Sequence, residues 1–299
     1  MKNNIKAAIV QHGCQDNYKE NLDRSVAGIN EAADHGVDLV LLPELHTLPY
    51  FCISEDKCHF DLAESIPGPT TGTLATLAQE RRVVIVASVF EQRTTGIYHN
   101  TAVVLDTDGS IAGTYRKMHV PDDPGYYEKY YFTPGDQGFV PIKTSIGILG
   151  VLVCWDQWFP EAARLMALAG AELLLFPSAI GWEPGDDEQE KARQLDAWMT
   201  IQKAHAIANN VSVLVSNRVG HENDPTGNTN GTGFWGSSFI AGPQGEILAR
   251  AATDEVTVIT ADIDIQQTEN LRRIWPYFRD RRIDHYQGLL ERFRDITYS

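Results

Sequence analysis

GVLVCWDQWFPEAARLMALAGA, residues 150–171, decides how the rest of the chain is read. Its first half is apolar on consecutive positions, as a strand covered on both faces requires. Its second half spaces apolar residues as an amphipathic helix does, and Pro160 suits a first helical position, where no N–H donor is needed. A strand that feeds into a helix is the unit of a layered α/β fold. Cys154 stands at the junction, as either a small apolar plug or a thiol within a substrate's reach.

The same unit recurs along the chain. IKAAIVQH, VDLVLLPE, RVVIVASVF, TAVVLDTDG, ILGVLVCW, AELLLFPSA, VSVLVSN, SSFIAGPQG and VTVITADID read as strands. Helical spacing runs over residues 17–35, 70–81, 158–170 and 190–209, and TDGS and GPQGEI mark tight turns. With no internal repeat, low-complexity tract or Ser/Gly linker, the expectation is one α/β domain over residues 1–299, carrying a C-terminal arm from about 270 to 299. That arm includes IWPYFRDRRIDHYQGLL, aromatic and basic unlike the rest, and composition suits packing on a second subunit or on its own domain equally well.

Composition narrows the function. The chain has 299 residues, 43% of them hydrophobic, enough for a full core. Its formal net charge of −15 argues against nucleic acid and anionic membranes and favours a cationic or neutral ligand. MKNNIKAAIVQHG lacks the apolar run and cleavage site of a signal peptide, and no stretch approaches a membrane span. Cys14, Cys52, Cys58 and Cys154 form no CxxC pair, so the expectation is a cytoplasmic protein with free thiols.

Three residues at strand ends can do chemistry together. Glu44 closes VDLVLLPE, Lys117 follows a hairpin in GTYRKMHVPDDPGYYEKYYFTPGD, and Cys154 closes ILGVLVC. A thiol with a pKa of about 8.5 is mostly protonated at neutral pH, and a helix N-terminus or a nearby cation lowers that value. The helix starting near Phe159 and Pro160 is expected to aim its free N–H groups at Cys154. Glu44 can take the thiol proton and later activate water. Lys117 and the Trp155 backbone N–H can hold the negative oxygen of a tetrahedral intermediate. Taken singly, the cysteine also reads as a core filler and the two charged residues as solvated surface. Histidine is the more usual partner of a catalytic cysteine, and His12, His46, His119 and His205 are all available.

At these segments the chain resembles the nitrilase superfamily of carbon–nitrogen hydrolases. The likeness extends from AAIVQ (7–11) to YFRDRRIDHY (277–286), and three signatures stand in order: LVLLPE with Glu44, YRKMHVPDD with Lys117, and GVLVCWDQWFPEAARLMALAGAELLLFPSA with Cys154. The resemblance implies a four-layer αββα sandwich, a Glu44–Lys117–Cys154 triad, and neither metal nor organic cofactor. It also implies a second glutamate at the site, Glu128, and homodimers packed through helices, often built into larger assemblies. KMHVPDDPGYYEKYYFTPGD, CWDQWFPEAARLMALAGAE and SAIGWEPGDD look like the branch that hydrolyses N-carbamoylputrescine, which implies a small cationic ureido substrate. Relatives that grip a substrate carboxylate carry arginine just after the nucleophile, whereas here that segment reads Trp155, Asp156, Gln157, Trp158. Glu183 is the expected partner of the substrate ammonium, with Asp156 behind it. FPSAIG replaces an expected YPTAIG, so Phe176 and Ser178 are expected to tune chain-length preference from the pocket. The alternative is the same scaffold acting on another N-carbamoyl compound, an aliphatic amide or a nitrile.

Overall fold

The structure, a computed structural model, describes residues 3–183, 185–224, 226–227 and 229–295. The first half supplies β1 (Asn4–Gln11), α1 (Tyr18–Asp34), β2 (Leu39–Leu41), α2 (Pro69–Arg81), β3 (Val84–Thr94), β4 (Ile97–Leu105) and β5 (Ile111–Arg116). A short helix, α3 (Glu128–Tyr131), precedes β6 (Ile142–Lys143), β7 (Ile148–Val151), α4 (Pro160–Leu168), β8 (Leu173–Pro177) and β9 (Gly181–Trp182). Then come α5 (Glu188–Asn209), β10 (Ser212–Ser216), β11 (Val219–Glu222) and β12 (Thr232–Trp235). The chain continues through β13 (Phe239–Ala241), β14 (Ile247–Arg250), β15 (Thr257–Asp264) and α6 (Ile265–Ile274).

Two six-stranded sheets form, in the orders β15-β1-β2-β3-β4-β5 and β14-β13-β10-β8-β7-β6, beside a small sheet β11-β12-β9. The period of a strand divides β1 between two cores. Ile5, Ala7 and Ile9 face the second sheet, where they meet Leu149, Val151 and Leu175. Ala8 and Val10 face outward under Leu22 and Ile29 of α1 and Leu74 of α2. On the far side α4 and α5 cover the second sheet with Ala162, Met166, Trp198 and Ala206. The result is the expected helix–sheet–sheet–helix sandwich. Gly150 lets α4 lie close, since a Cβ there would sit 2.8 Å from Leu174 Cδ2 and 3.1 Å from Met166 Cβ.

Local chemistry sets the helix ends near where the sequence puts them. Asn17 caps α1 by accepting from Lys19 and Glu20 N–H, Asp187 caps α5 by accepting from Glu190 N–H, and Asn210 ends α5 in a left-handed conformation. Two expectations change. ILGVLVCW is strand only to Val151, after which Cys154–Trp158 wind into a 3-10 turn. The α-helix therefore starts at Pro160, and the N–H groups beside Cys154 belong to the turn rather than to an α-helix N-terminus. The polar edge strand β5 and the two-residue strands β6 and β9 carry no apolar run by which sequence could mark them.

The strands' directions gather the reactive residues. β1, β2 and β3 run parallel, as do β7, β8 and β10. Glu44 follows β2, Cys154 follows β7 and Lys117 follows β5, so all three leave the sheets at carboxyl ends, where open α/β sheets bind ligands. Where the C-terminal arm was expected, α6 stays helical to Ile274. Phe278 then packs under the guanidinium groups of Arg164 and Arg272, at 5.0 and 4.7 Å, which lays the arm along α4. Among the described residues, no helix is long and apolar enough to cross a membrane.

Candidate active site

Glu44 sits on a turn that the fold holds from several sides. Leu42 N–H still pairs with Val86 O in the sheet, and Glu44 N–H donates to Ser178 O at 3.2 Å. Leu45, next in the chain, adopts φ +49°, a left-handed conformation that costs an L-residue about 1–2 kcal/mol. The Glu44 carboxylate is fully buried. Its Oε1 accepts from Lys117 Nζ at 2.8 Å and from Asn100 Nδ2 at 2.7 Å. Its Oε2 is buried with no hydrogen-bond partner among the described residues. A buried oxygen left in this state is costly, and it is free to take a proton.

Lys117 prolongs the β4–β5 pairing, donating its backbone N–H to Asn100 O at 2.9 Å. Its ammonium is buried and bridges Glu44 and Glu128, with Glu128 Oε2 2.6 Å away. Tyr50 OH donates to Glu128 Oε1 at 2.7 Å. Burial works against the lysine's charge, but Glu128 and Glu44 outweigh it and push the ammonium pKa well up. Burial likewise raises Glu128, against the pull of Lys117, from 4.5 to about 7. Near neutral pH the cluster of one cation and two carboxyls therefore carries little net charge, which lowers the expense of enclosing it.

Cys154 has φ +42°, the second left-handed residue at the site. Its turn is stapled by Asp156, whose Oδ2 accepts from Val153 N–H at 2.9 Å while its N–H donates to Val153 O at 3.1 Å. The sulfur lies 3.8 Å from Ala179 O, and Cys154 as a residue is 5% exposed. Burial raises the thiol pKa well above its usual value; the charges of Glu44 and Glu128 add to the rise and Lys117 opposes it. This corrects the expectation of a depressed thiol. The resting sulfur is a neutral S–H in electrostatic reach of Glu44.

A cavity of about 290 Å³ opens over the sulfur. Trp155, Trp158, Trp235 and Tyr126 wall it, and Asp123 and Glu183 stand among its lining residues. Glu128 also reaches the cavity. Glu183, exposed at the mouth, has its pKa raised by burial and by the charges of Asp186 and Asp123, so three carboxylates share one region.

Other sequence expectations change here. Asp156 is fully buried, and both its oxygens are occupied by Tyr115 OH, Val153 N–H, and the backbone and ring N–H of His119. It holds the Cys154 turn and is not among the residues lining the cavity. Ser178 Oγ points to Gln157 Oε1 and Phe176 O, each at 3.3 Å, and its carbonyl positions Glu44. Phe176 is buried against His205 with ring centroids 6.0 Å apart, so neither Phe176 nor Ser178 shapes the pocket wall, which takes Ala179, Ile180 and Gly181 from the same stretch. None of the four candidate histidines lines the cavity. His12 and His46 flank Ser25 at 3.0 and 2.7 Å, His119 holds Asp156, and His205 bonds Gln157 O. Sequence reasoning missed Asn100, Tyr50 and Trp235, which reach the site from separate segments, and Asp123 and Tyr126, which stand in the loop between Lys117 and Glu128. Among the described residues, no group of three or more His, Cys, Asp or Glu side chains is arranged to hold a metal ion.

Comparison with known proteins agrees with this geometry. Residues 6–273 match the carbon–nitrogen hydrolase family, and the chain belongs to that family. It is 43% identical over 289 residues to N-carbamoylputrescine amidase of Solanum lycopersicum, spanning 96% of this chain and 95% of the relative. It is 41% identical over 292 residues to citrullinase of Francisella tularensis subsp. tularensis, spanning 97% and 99%. A carbon–nitrogen hydrolase crystal structure from Helicobacter pylori G27 shares the fold at a TM-score of 0.95 and 51% identity, covering 97% of this chain and 100% of that one.

The Glu128 shift has a measurable sign. The folded chain keeps this proton up to about pH 7, whereas the unfolded carboxyl releases it near 4.5. Its contribution to stability is present at low pH and is lost as pH rises through that window. Urea unfolding of wild type and Glu128→Gln at pH 5 and pH 8 should show the wild type losing stability relative to the variant as pH rises. A flat difference contradicts the shift.

Proposed function

We propose that this protein hydrolyses N-carbamoylputrescine through Cys154, giving putrescine, ammonia and carbon dioxide, a step in making polyamine from agmatine. The observation that carries the reading is the cavity wall: Asp123, Glu183 and four aromatic residues line it, with no Lys, Arg or His among its described lining residues. A ureido group is neutral and meets the sulfur. The substrate's far ammonium is drawn by the carboxylates and the aromatic faces. The relatives named N-carbamoylputrescine amidase support the same choice.

In the proposed mechanism Glu44 takes the Cys154 proton as sulfur attacks the ureido carbonyl. Lys117 and the Trp155 backbone N–H stabilise the oxyanion. The tetrahedral intermediate expels one nitrogen, which leaves as an amine carrying the proton from Glu44, and a carbamoyl thioester remains on Cys154. Glu44 then deprotonates a water that attacks this thioester, the C–S bond breaks as the proton passes from Glu44 back to sulfur, and the released carbamate breaks down to carbon dioxide and the second amine. The acid–base transfers supply roughly 10²–10⁴ in rate. Four unpaired cysteines suit the reducing cytoplasm proposed as its location. We further infer that a second copy covers α4 and the arm, where Leu168, Leu290 and Phe293 are 46%, 93% and 78% exposed. Sedimentation should then show at least a dimer that Leu168→Glu weakens; a wild-type monomer rejects this.

A second reading follows from the citrullinase relative. Citrulline presents the same ureido group, but its far end carries a carboxylate that no cationic side chain of this cavity meets. Kinetics with N-carbamoylputrescine, citrulline, an N-carbamoyl amino acid and neutral butylurea separate the readings. The expected order places N-carbamoylputrescine first in kcat/KM; a preference for citrulline or the anion overturns it. Cys154→Ala should fold and lose all turnover. Glu183→Gln should raise KM for the cationic substrate roughly fivefold to tenfold, about 1 kcal/mol, and spare butylurea.

A further inference from the structure

Arg218 follows β10 at the carboxyl end of the second sheet, is fully buried, and does not line the cavity. Its guanidinium grips the Glu44 turn. Nε and Nη2 donate to Glu44 O at 3.1 and 3.0 Å, and Nη2 also donates to Leu45 O at 2.7 Å. Nη1 donates to Glu222 Oε1 at 2.8 Å. The other Glu222 oxygen accepts from Tyr50 N–H at 2.6 Å, and Tyr50 OH reaches Glu128. The Tyr50 and Phe234 rings lie 5.9 and 5.7 Å from the guanidinium carbon and help seal it from water.

We propose that Arg218, oriented by Glu222, is the positioning residue for the Glu44 carboxylate. The proposal rests on reading Glu44 as the base for Cys154. Two successive carbonyls, Glu44 O and Leu45 O, turn toward one cation, and Leu45 holds a backbone conformation that leucine adopts reluctantly. Without that cation both carbonyls would be buried against each other and the turn would relax, carrying the Glu44 side chain with it. A planar fork of five donors can serve three acceptors in fixed directions, and a lysine ammonium cannot reproduce that fan. Through Glu222 and Tyr50 the same ion pair also fixes Glu128, so one buried arginine sets both carboxyl groups that flank Lys117. A guanidinium whose task was only to neutralise Glu222 would need no bonds to the base-bearing turn.

The test reads the sulfur directly. Cys154 is alkylated by iodoacetamide at pH 7.5, well below the melting temperature, in wild type, Glu44→Gln, Arg218→Lys and Glu222→Gln, and site-specific modification is followed by mass spectrometry. Glu44→Gln should slow alkylation, which establishes the base; a wild-type rate in that variant overturns the base reading itself. Arg218→Lys keeps the charge and should still slow alkylation and lower kcat, each roughly 10–100-fold, with KM near wild type. If Glu44→Gln slows and Arg218→Lys reacts at the wild-type rate, the base survives and the positioning role is overturned. Should Arg218→Lys fail to fold, Glu222→Gln carries the same test: slowed alkylation with a retained fold supports the proposal, and a wild-type rate overturns it. A purely structural arginine would lower the melting temperature while its folded molecules reacted at the wild-type rate.

Discussion

A lysine ammonium enclosed between two carboxylates is the interaction on which this structure depends. Lys117 meets Glu44 and Glu128 at 2.8 and 2.6 Å with every partner buried. Removing such charges from water costs several kcal/mol each, and only close, hydrogen-bonded pairing offsets it. The pairing requires a loop after β2, the end of β5 and the start of α3 to meet in one place. It also fixes the field at the sulfur. Two carboxyl groups and burial outweigh one ammonium there, so Cys154 rests as a thiol. A protonated sulfur thus stands in the field of a carboxylate whose second oxygen has no hydrogen-bond partner among the described residues, the arrangement on which the proposed proton transfer rests.

The sandwich makes that meeting possible. Two sheets stack so that the carboxyl ends of their parallel strands open to the same side, and each sheet delivers part of the cluster. The first sheet brings Glu44 and Lys117; the second brings Cys154 and Arg218. The turns that carry Glu44 and Cys154 are both strained, with left-handed Leu45 and Cys154 held by groups from elsewhere in the chain. Arg218 fastens one, and Asp156 with His119 and Tyr115 fastens the other. Strain kept at reactive positions and offset by surrounding bonds is the usual form of a pre-set site.

The layers and the cluster were legible because they leave local marks. Apolar runs and helical spacing reveal strands and helices, and a charged or nucleophilic residue closing an apolar run stands out, as Glu44 and Cys154 do. What failed was direction. Asp156 and Ser178 adjoin the key segments in sequence, yet the 3-10 turn and the sheet end point them into the protein, where they hold the turns of Cys154 and Glu44. The helix starts at Pro160 as expected, but the thiol was misread because a 3-10 turn stands between it and that start, and because burial and two carboxyl groups outweigh one cation. Trp235 joins Asp123 and Tyr126 only after folding, and although those two share the quoted loop of Lys117, nothing in the sequence shows that they face the cavity. Arg218 had a signal of the same kind as Glu44, a charge closing the apolar run VSVLVSN.

The most direct measurement is the ultraviolet titration of the sulfur. The thiolate absorption near about 240 nm, read as the difference between wild type and Cys154→Ala, is followed from pH 6 to 9.5. The account predicts no Cys154 thiolate across that range in the resting protein, because burial and the neighbouring carboxylates keep the proton on sulfur. A thiolate already present at pH 7 would contradict it, and would leave Glu44 with no proton to take.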